Sequence, residues 1–467
     1  MRTVLHWSAL LAGGVFAASP AAGPDAVAGV NLELVTLTET SAVFTWYTGV
    51  PGTSDAVGQL LPAPCQGEVV YGTHPARLDR TAYGAPGTAY HYVEIEDLEP
   101  GQTYYYQARA RGRAAGAQVL LGGCAAGTPA RRRGVFRFTA PQPPPGRYLF
   151  SIALANDLHL GETTVGLSGR LPWLKGVSQL PGRPPYPQVM AEALVRDARS
   201  RGADHLLIAG DLTADGRDED IAAARTALDR FGALGRDYLV VRGNHDRPGQ
   251  HPADPADAYR ARFALPQESA YHATRLNGLR VIGLDTYDDP AEDTDTGMLS
   301  ASQLSWFRRE LADDPDRPTL VFGHHPLLSP GNPLAAVSSP VLHRPQAQDV
   351  LRAYAAAPGV FLHHAGHTHR NRRSIPRQAP RVVHQEVAAA KEYPGGFALL
   401  RVHSGGYALN YYKTRDERAR AWGERSRRQA RGWWPHLAFG PTVGDRNSVV
   451  RRDFSGLGAR ADLNSFT

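Results

Sequence analysis

Five groups of potential metal ligands occur in this 467-residue sequence, each directly after an apolar run. They are Asp157-Leu158-His159, Gly210-Asp211, Gly243-Asn244-His245-Asp246, Gly323-His324-His325-Pro326 and Gly366-His367-Thr368-His369. Carboxylate, amide and imidazole groups are donors that suit divalent metal ions. A hydrolytic site with two metal ions needs enough such donors for both ions, and one group that bridges them. These residues are sufficient for such a site.

In two of the groups, the spacing of the candidate ligands places their side chains on the same side of the chain. Asp157 and His159, like His367 and His369, are two residues apart, so both members of each pair lie on one side of an extended chain. Taken alone, Gly210-Asp211 reads as a common turn, and the run from Asn244 to Asp246 reads as a polar turn with a capping aspartate. The histidine groups are harder to explain in that way, because buried imidazoles need polar partners.

The segments between these groups predict the elements that position them. From residue 148 onward, apolar runs alternate with helical periodicity, which is typical of βα units. Strands are predicted at Tyr148–Ala155, His205–Ala209, Tyr238–Val241, Leu279–Leu284, Thr319–Phe322, Val360–His363 and Tyr407–Tyr412. Helices are predicted at Pro187–Ser200, Asp218–Leu234 and Ala301–Leu311, the last capped by Ser300. Because strand ends converge on one crevice in such sheets, the five groups are expected to meet there.

The N-terminal third has a different pattern. Short alternating strands separated by turn residues predict a β-sandwich, with Phe44 and Trp46 in its core. The predicted strands are Leu32–Leu37, Ala42–Thr48, Glu68–Tyr71, Ala89–Ile95, Thr103–Ala110 and Val135–Thr139. The proline-rich run 141–146 ends the pattern and is interpreted as a linker.

The order and composition of the five groups resemble the calcineurin-like metallophosphoesterase superfamily, over roughly Leu149 to Val402. The segment Leu98-Glu99-Pro100-Gly101-Gln102-Thr103-Tyr104-Tyr105 resembles a strand entry of fibronectin type III and purple-acid-phosphatase N-terminal domains, with Tyr105 as the corner tyrosine. The resemblance implies an α/β fold, a four-layer α/β/β/α sandwich preceded by a small all-β sandwich domain. The expected divisions are 1–28 signal peptide or disordered N-terminus, 29–140 β-sandwich, 141–146 linker, 147–412 catalytic domain and 413–467 arginine-rich extension.

The resemblance also implies roles for individual residues and an activity. Asp157, His159 and His369 would hold one metal ion, Asn244, His324 and His367 the other, and Asp211 would bridge them. A bridging hydroxide would then attack a small phosphomonoester or phosphodiester, while His245 protonates the leaving oxygen and Asp246 orients the imidazole. Two alternatives stay open at this point: a catalytically inactive extracellular binding protein and a metal-dependent nuclease.

The sequence departs from purple acid phosphatases at the metal site. Those enzymes carry a tyrosine three residues after the bridging aspartate, where this chain has Ala214. Divalent Zn, Mn or Fe is therefore expected, without a choice among them. The segments Gly283–Thr286 and Gln303–Trp306 look more like bacterial cyclic-nucleotide and glycerophosphodiester phosphodiesterases.

The remaining features bear on substrate access and partners. The long loop Leu160–Tyr186, with Arg170, Trp173 and Lys175, is expected either to shape substrate access or to be a surface insertion. The formal charge of +6 is concentrated in Lys413–Arg431, which predicts a solvated helix followed by packing of Trp433 and Trp434; nucleic acid is an unlikely partner.

The N-terminus predicts export. Arg2 precedes a short apolar stretch from Ser8 to Ala18 and a run of small residues, a pattern typical of a signal peptide or of a truncated twin-arginine signal. The protein is accordingly expected to be secreted or associated with the cell envelope, with no transmembrane segment and with extracellular contacts through the N-terminal domain. Cys65 and Cys124 either form one disulfide or are two separate thiols.

Overall fold

A small all-β domain comes first in the structure, a computed structural model that describes residues 27–117, 134–166, 176–247, 257–263, 270–288, 295–328, 341–432 and 435–457. Its strands are β1 (Ala28–Leu37), β2 (Ala42–Gly49), β3 (Gly67–Gly72), β4 (Arg80–Tyr83), β5 (Tyr90–Ile95), β6 (Thr103–Ala110), β7 (Arg113–Ala114) and β8 (Phe136–Thr139). One sheet has the order β1-β2-β5 and the other β4-β3-β6-β7, with β8 beside β6. Phe44 and Trp46 lie in the core between the sheets, as predicted.

The corner tyrosine of this domain is Tyr104, so the expectation for Tyr105 is wrong. The backbone N–H of Glu99 donates a hydrogen bond to the Tyr104 hydroxyl at 3.0 Å, and the Tyr104 side chain is buried. Strand β6 alternates in burial, which turns Tyr104 and Tyr106 into the core and Tyr105 away from it. The run of three tyrosines correctly predicted a strand, but it did not indicate which face of that strand is buried.

Two six-stranded sheets form the second part of the chain. Their strands are β9 (Tyr148–Ala155), β12 (His205–Ala209), β13 (Tyr238–Val241), β14 (His272–Leu276), β15 (Leu279–Leu284), β16 (Thr319–Gly323), β17 (Val360–Ala365), β18 (Arg372–Ser374), β19 (Val383–Glu386), β20 (Gly396–His403), β21 (Gly406–Lys413) and β22 (Asn447–Arg451). The first sheet has the order β13-β12-β9-β20-β21-β22, and the second β14-β15-β16-β17-β19-β18. A short hairpin of β10 (Thr164–Val165) and β11 (Val177–Ser178) lies apart from both.

The two sheets pack against each other and carry helices on their outer faces. The α-helices are α1 (Tyr186–Ser200), α2 (Asp218–Asp229), α3 (Ala258–Phe263), α4 (Ala301–Asp313), α5 (Arg344–Ala356), α6 (Glu417–Ser426) and α7 (Pro435–Phe439). In β16, Leu320 and Phe322 face the first sheet's core, whereas Val321 packs with residues of α4 and α5. Residues of α1 and α2 cover the first sheet. The predicted four-layer α/β fold behind an all-β domain is confirmed, and the hydroxyl of Ser300 caps α4 by accepting from Gln303 N–H.

The arginine-rich stretch forms the predicted helix, α6, but it is not a solvated one. Arg427 is buried and its guanidinium pairs with Glu33 of β1, while Arg425 pairs with Asp55 at 3.0 Å. Strand β22, from the predicted extension, adds to β21 and completes the first sheet. Charges normally favour water, and here acidic partners on the N-terminal domain replace it.

Several predictions concern residues outside the described ranges: most of the 1–28 segment, Cys124, Trp433, Trp434, and Arg170, Trp173 and Lys175 of the long loop. Cys65 is buried beside Thr48 and His91. None of the described helices combines the length and apolarity needed to cross a bilayer.

Candidate metal centre

The predicted ligands lie at the carboxyl ends of strands from both sheets. Strand β9 leads to Asp157 and His159, β12 to Asp211, and β13 to Asn244. In the second sheet β16 ends at Gly323, just before His324, and β17 precedes His367 and His369. Since β9, β12 and β13 are adjacent parallel strands, as are β16 and β17, their ends open at the same edges. The structure therefore brings all seven predicted ligands to one region.

The carboxylate of Asp211 lies between the two predicted ligand sets. Its Oδ2 is 3.3 Å from Nε2 of His159 and 3.2 Å from Nε2 of His324. Its Oδ1 accepts a hydrogen bond from the backbone N–H of His245 at 2.9 Å. One oxygen is thus anchored and the other faces a histidine of each set, which is the geometry that a bridging ligand needs.

Asp157 is oriented in a similar way. Its Oδ2 accepts hydrogen bonds from the Asn156 side-chain amide and from the backbone N–H of His367. Its Oδ1 is 3.2 Å from Nε2 of His369 and 3.8 Å from Nε2 of His159. The anchored oxygen fixes the carboxylate, and the other oxygen is directed at both imidazoles of its predicted set.

The other set converges on His324. Its Nε2 is 3.0 Å from Oδ1 of Asn244 and 3.1 Å from Nδ1 of His367. The opposite ring nitrogen, Nδ1, donates to the carbonyl oxygen of Ala209 at 2.8 Å. When the ring is neutral, a proton held there leaves a lone pair on Nε2, which is the form that binds metal.

The donor set fits a pair of cations. Asp157 Oδ1, both ring nitrogens of His159 and Nε2 of His367 are buried without a hydrogen-bond partner among the described residues. Burial opposes the charge of Asp211, yet the neighbouring His324 and His245 hold its pKa well below the usual range. Burial likewise opposes protonation of His324, but the Asp211 carboxylate raises its pKa to about 9. The ionised carboxylates therefore attract positive charge into a space lined by unpaired donors.

Non-glycine residues with positive backbone φ angles are concentrated at this site. Nine described non-glycine residues have positive φ, and five of them are predicted ligands: Asp157, His159, Asp211, His367 and His369. Such conformations cost free energy and cluster at functional sites. Gly243 is needed for close approach, because a Cβ there would lie 2.1 Å from Oδ1 of Asp211.

His245 and Asp246 are arranged differently from one another. Nδ1 of His245 donates to the Ala214 carbonyl at 2.6 Å, and its ring centroid is 4.7 Å from that of His159. Asp246 instead accepts backbone N–H groups of Leu212, Thr213 and Gly243. The sequence suggested that Asp246 orients the imidazole of His245. In the structure the Ala214 carbonyl group orients it instead. Asp246 holds together the turns that carry Asp211 and Asn244.

Three supporting acidic or histidine residues surround the ligands. Glu392 accepts from Nδ1 of His369 at 2.9 Å, and Glu162 lies 3.9 Å from Nδ1 of His159. His325 contacts the Thr286 hydroxyl at 2.8 Å and packs against the ring of His367. Glu162 and Glu392 were missed, because neither belongs to a recognisable motif.

Two protein families match this chain. Residues 150–371 match the family described as calcineurin-like phosphoesterase. Residues 27–119 match the purple acid phosphatase N-terminal domain. The two matches together include strands β1 to β7 of the first sandwich and all seven predicted ligands.

Individual relatives match only part of this chain, at 30% sequence identity. A probable cyclic nucleotide phosphodiesterase of Synechococcus is 30% identical over 136 residues, which is 29% of this chain and 48% of the relative. The glycerophosphodiester phosphodiesterase GpdQ of Enterobacter lignolyticus is 30% identical over 199 residues, 39% of this chain and 63% of the relative. The chain thus spans less than two thirds of the length of either relative.

Two solved structures of phosphatases align with this chain. A purple acid phosphatase from yellow lupin aligns over 92% of this chain and 75% of its own length, with a TM-score of 0.44 and 14% identity. A dimetal phosphatase from Danio rerio aligns over 56% of this chain and 96% of its own length, with a TM-score of 0.44 and 15% identity.

Proposed function

Taking residues 150–371 as a calcineurin-like phosphoesterase domain behind a purple acid phosphatase N-terminal domain, we propose that this chain is a metal-dependent hydrolase of phosphate esters. The observation that carries the proposal is the position of Asp211 Oδ2, 3.3 Å from His159 and 3.2 Å from His324. A carboxylate oxygen between two histidine-containing ligand sets supports a binuclear centre.

The ligands divide into two sets around Asp211. Asp157, His159 and His369 would hold one divalent ion, and Asn244, His324 and His367 the other. When bound, the two ions would activate water and neutralise charge on the phosphoryl oxygens. Zn, Mn and Fe(II) all suit these donors, and none is preferred.

The chain's own residues would orient the ester and move the proton. Because Nδ1 of His245 donates to the Ala214 carbonyl, Nε2 is the ring nitrogen left to face the ester. When the ring also carries a proton on Nε2, it would donate to a phosphoryl oxygen and pass that proton to the leaving alkoxide. Asp246 maintains this position indirectly, through the backbone of the two turns that it joins.

Phosphodiesters are the substrate class that we favour. The two relatives at 30% identity are named as phosphodiesterases of cyclic nucleotides and of glycerophosphodiesters. The phosphate diester of a small alcohol is the chemistry shared by these two classes. Phosphomonoesters are the alternative.

A substrate screen tests the proposal directly. The purified protein is loaded with Zn or Mn and assayed on bis(p-nitrophenyl) phosphate, p-nitrophenyl phosphate, cyclic nucleotides and glycerophosphodiesters. Asp211→Ala and His324→Ala should abolish hydrolysis, whereas His205→Ala, at the opposite end of β12, should leave it intact. Full activity in Asp211→Ala would rule the proposal out, and a preference for the monoester would overturn the choice of diesters.

Export is a further part of the proposal. The short apolar stretch after Arg2 supports it. Sequencing the N-terminus of protein recovered from the medium or the cell envelope tests it; an intact N-terminus on protein retained in the cytoplasm would contradict it.

A further inference from the structure

An ion pair between a buried lysine and a partly buried glutamate lies directly behind one of the two ligand sets. Nζ of Lys391 is 2.7 Å from Oε1 of Glu162, and the side chains are 4% and 19% exposed. The same Glu162 oxygen lies 3.9 Å from Nδ1 of His159, a nitrogen without a hydrogen-bond partner among the described residues. A buried lysine and glutamate are costly unless paired, so their position next to a metal ligand calls for a reason.

Lys391 and its neighbour also contact the other two members of that ligand set. The backbone N–H of Lys391 donates to the carbonyl oxygen of Asp157 at 3.1 Å. The adjacent Glu392 accepts from Nδ1 of His369 at 2.9 Å. The segment 391–392 and Glu162 together therefore reach Asp157, His159 and His369.

The pair is in turn fixed by two aromatic residues. Oε2 of Glu162 accepts the Tyr186 hydroxyl at 2.6 Å, and the carbonyl oxygen of Lys391 accepts the indole N–H of Trp422 at 2.8 Å. The Tyr186 and Trp422 rings stack with centroids 3.9 Å apart and 17° between their planes. Tyr186 begins α1, and Trp422 lies on α6, the arginine-rich helix.

We propose that Glu162 and Lys391 are positioning residues that, held by Tyr186 and by Trp422 of α6, set the affinity of the ion bound by Asp157, His159 and His369. The inference rests on the proposed binuclear function. At 3.9 Å the Glu162 carboxylate does not hydrogen-bond Nδ1 of His159, but its charge favours the tautomer with the proton on that nitrogen. That tautomer leaves Nε2 for the metal, as acidic neighbours do in metal sites. Lys391 balances the charge of Glu162, so that the carboxylate stays ionised within the fold.

Zinc binding to Glu162→Gln tests the proposal. Zn²⁺ affinity and stoichiometry are measured by competition with a chromogenic chelator, and turnover is measured in parallel. We expect one of the two ions to bind about 10–100-fold more weakly and the other to bind with little change. The matched control Glu192→Gln, a glutamate paired with Arg230 at the surface of α1, should bind both ions like the wild type.

A double variant separates positioning from loss of fold. Glu162→Gln alone leaves Lys391 buried and unpaired, which lowers the melting temperature of the metal-free protein. Glu162→Gln/Lys391→Met removes the pair together and should recover that melting temperature, while the affinity for one ion stays weak. If affinity recovers together with stability, the residues have only a structural role and the proposal is overturned.

The affected ion is identified by combining variants. Glu162→Gln should add little to the loss in His159→Ala, which already lacks that ion's ligand, but it should weaken the remaining ion in His367→Ala. Equal effects in both backgrounds would overturn the assignment. A wild-type protein that binds fewer than two ions would overturn the proposed function itself, whereas unchanged affinities in Glu162→Gln beside two wild-type ions would overturn only this inference.

Discussion

At the scale of single residues, the candidate site depends on carboxylates of which one oxygen is anchored and the other is left for a ligand. Asp211 and Asp157 both follow this pattern. The ligand positions could be predicted because imidazoles and carboxylates recur after strand ends. The anchors could not, because they are backbone N–H groups and an asparagine whose positions depend on the tertiary fold.

Gly243→Ala should disable the site. A Cβ at this position would lie 2.1 Å from Oδ1 and 2.4 Å from the backbone nitrogen of Asp211, so the turn that carries Asp211 must shift together with its carboxylate. We expect loss of at least one bound metal ion and a fall in kcat/KM of about 100-fold or more, as for other small displacements in active sites. Metal analysis and steady-state kinetics provide the measurements. Gly116→Ala, where the nearest atom is 3.7 Å away, is the control and should behave like the wild type.

Removal of the metal ions should lower thermal stability. Ions that bind only the folded state stabilise it by roughly 4 kcal/mol per site at 1,000 times their dissociation constant. Melting curves with EDTA and with added Zn²⁺ should therefore differ by several degrees. Asp211→Ala should show no such difference, and a zinc-dependent shift that persists in this variant would place the stabilising ion elsewhere.

At the scale of strands and helices, the sequence predicted the bounds of several strands, both buried ones and the alternating strand β6, but it missed the buried strand β20. Strands β9, β12, β13 and β15 have the predicted bounds, because parallel strands covered on both faces are continuous apolar runs. Strand β19 was missed, since three of its four residues, His384, Gln385 and Glu386, are polar. Glu386 is buried there because Arg370 pairs with it at 2.8 Å, a contact that the strand's own sequence does not indicate.

Strand β14 should make the protein sensitive to mild acid. Its His272 is buried against Phe322, and burial lowers its pKa to about 4. An unfolded histidine titrates near 6.5. Below that pH the unfolded state therefore binds a proton that the folded state does not, and stability falls as the pH drops from about 6.5 to 4.

His272→Leu tests this prediction. The variant should lose up to about 3 kcal/mol of the pH dependence of unfolding between pH 6.5 and 4, with little change at pH 8. Urea denaturation across this range provides the measurement. His74→Leu, on the surface of the first domain, is the control. A pH profile in His272→Leu that parallels the wild type would show that this imidazole is not responsible.

At the scale of the whole molecule, the arginine-rich segment joins the two domains. Glu33 of β1 pairs with Arg427 and Lys413 and accepts the Tyr393 hydroxyl, while Arg401 binds Glu39 through two contacts of 2.7 Å. The sequence alone could not assign this role, because the acidic partners lie more than 350 residues away along the chain. A run of arginines predicts solvent exposure unless its partners are known.

Glu33→Gln should therefore lower the free energy of unfolding of the protein at neutral pH. Burial opposes ionisation of Glu33, but Arg427 and Lys413 lower its pKa to about 2, so its stabilising effect is complete above about 4.5 and is lost as the pH falls toward 2. Replacing it leaves two buried cations without their shared carboxylate, which costs about 3–5 kcal/mol.

Calorimetry at pH 7 should show a lower melting temperature, and the difference from the wild type should shrink at pH 3. Glu39→Gln, at a more exposed pair of the same interface, should cost only about 1 kcal/mol. Equal decreases in the free energy of unfolding in the two variants would contradict the prediction. They would mean that the buried contacts of Glu33 stabilise the domain interface no more than the more exposed pair of Glu39.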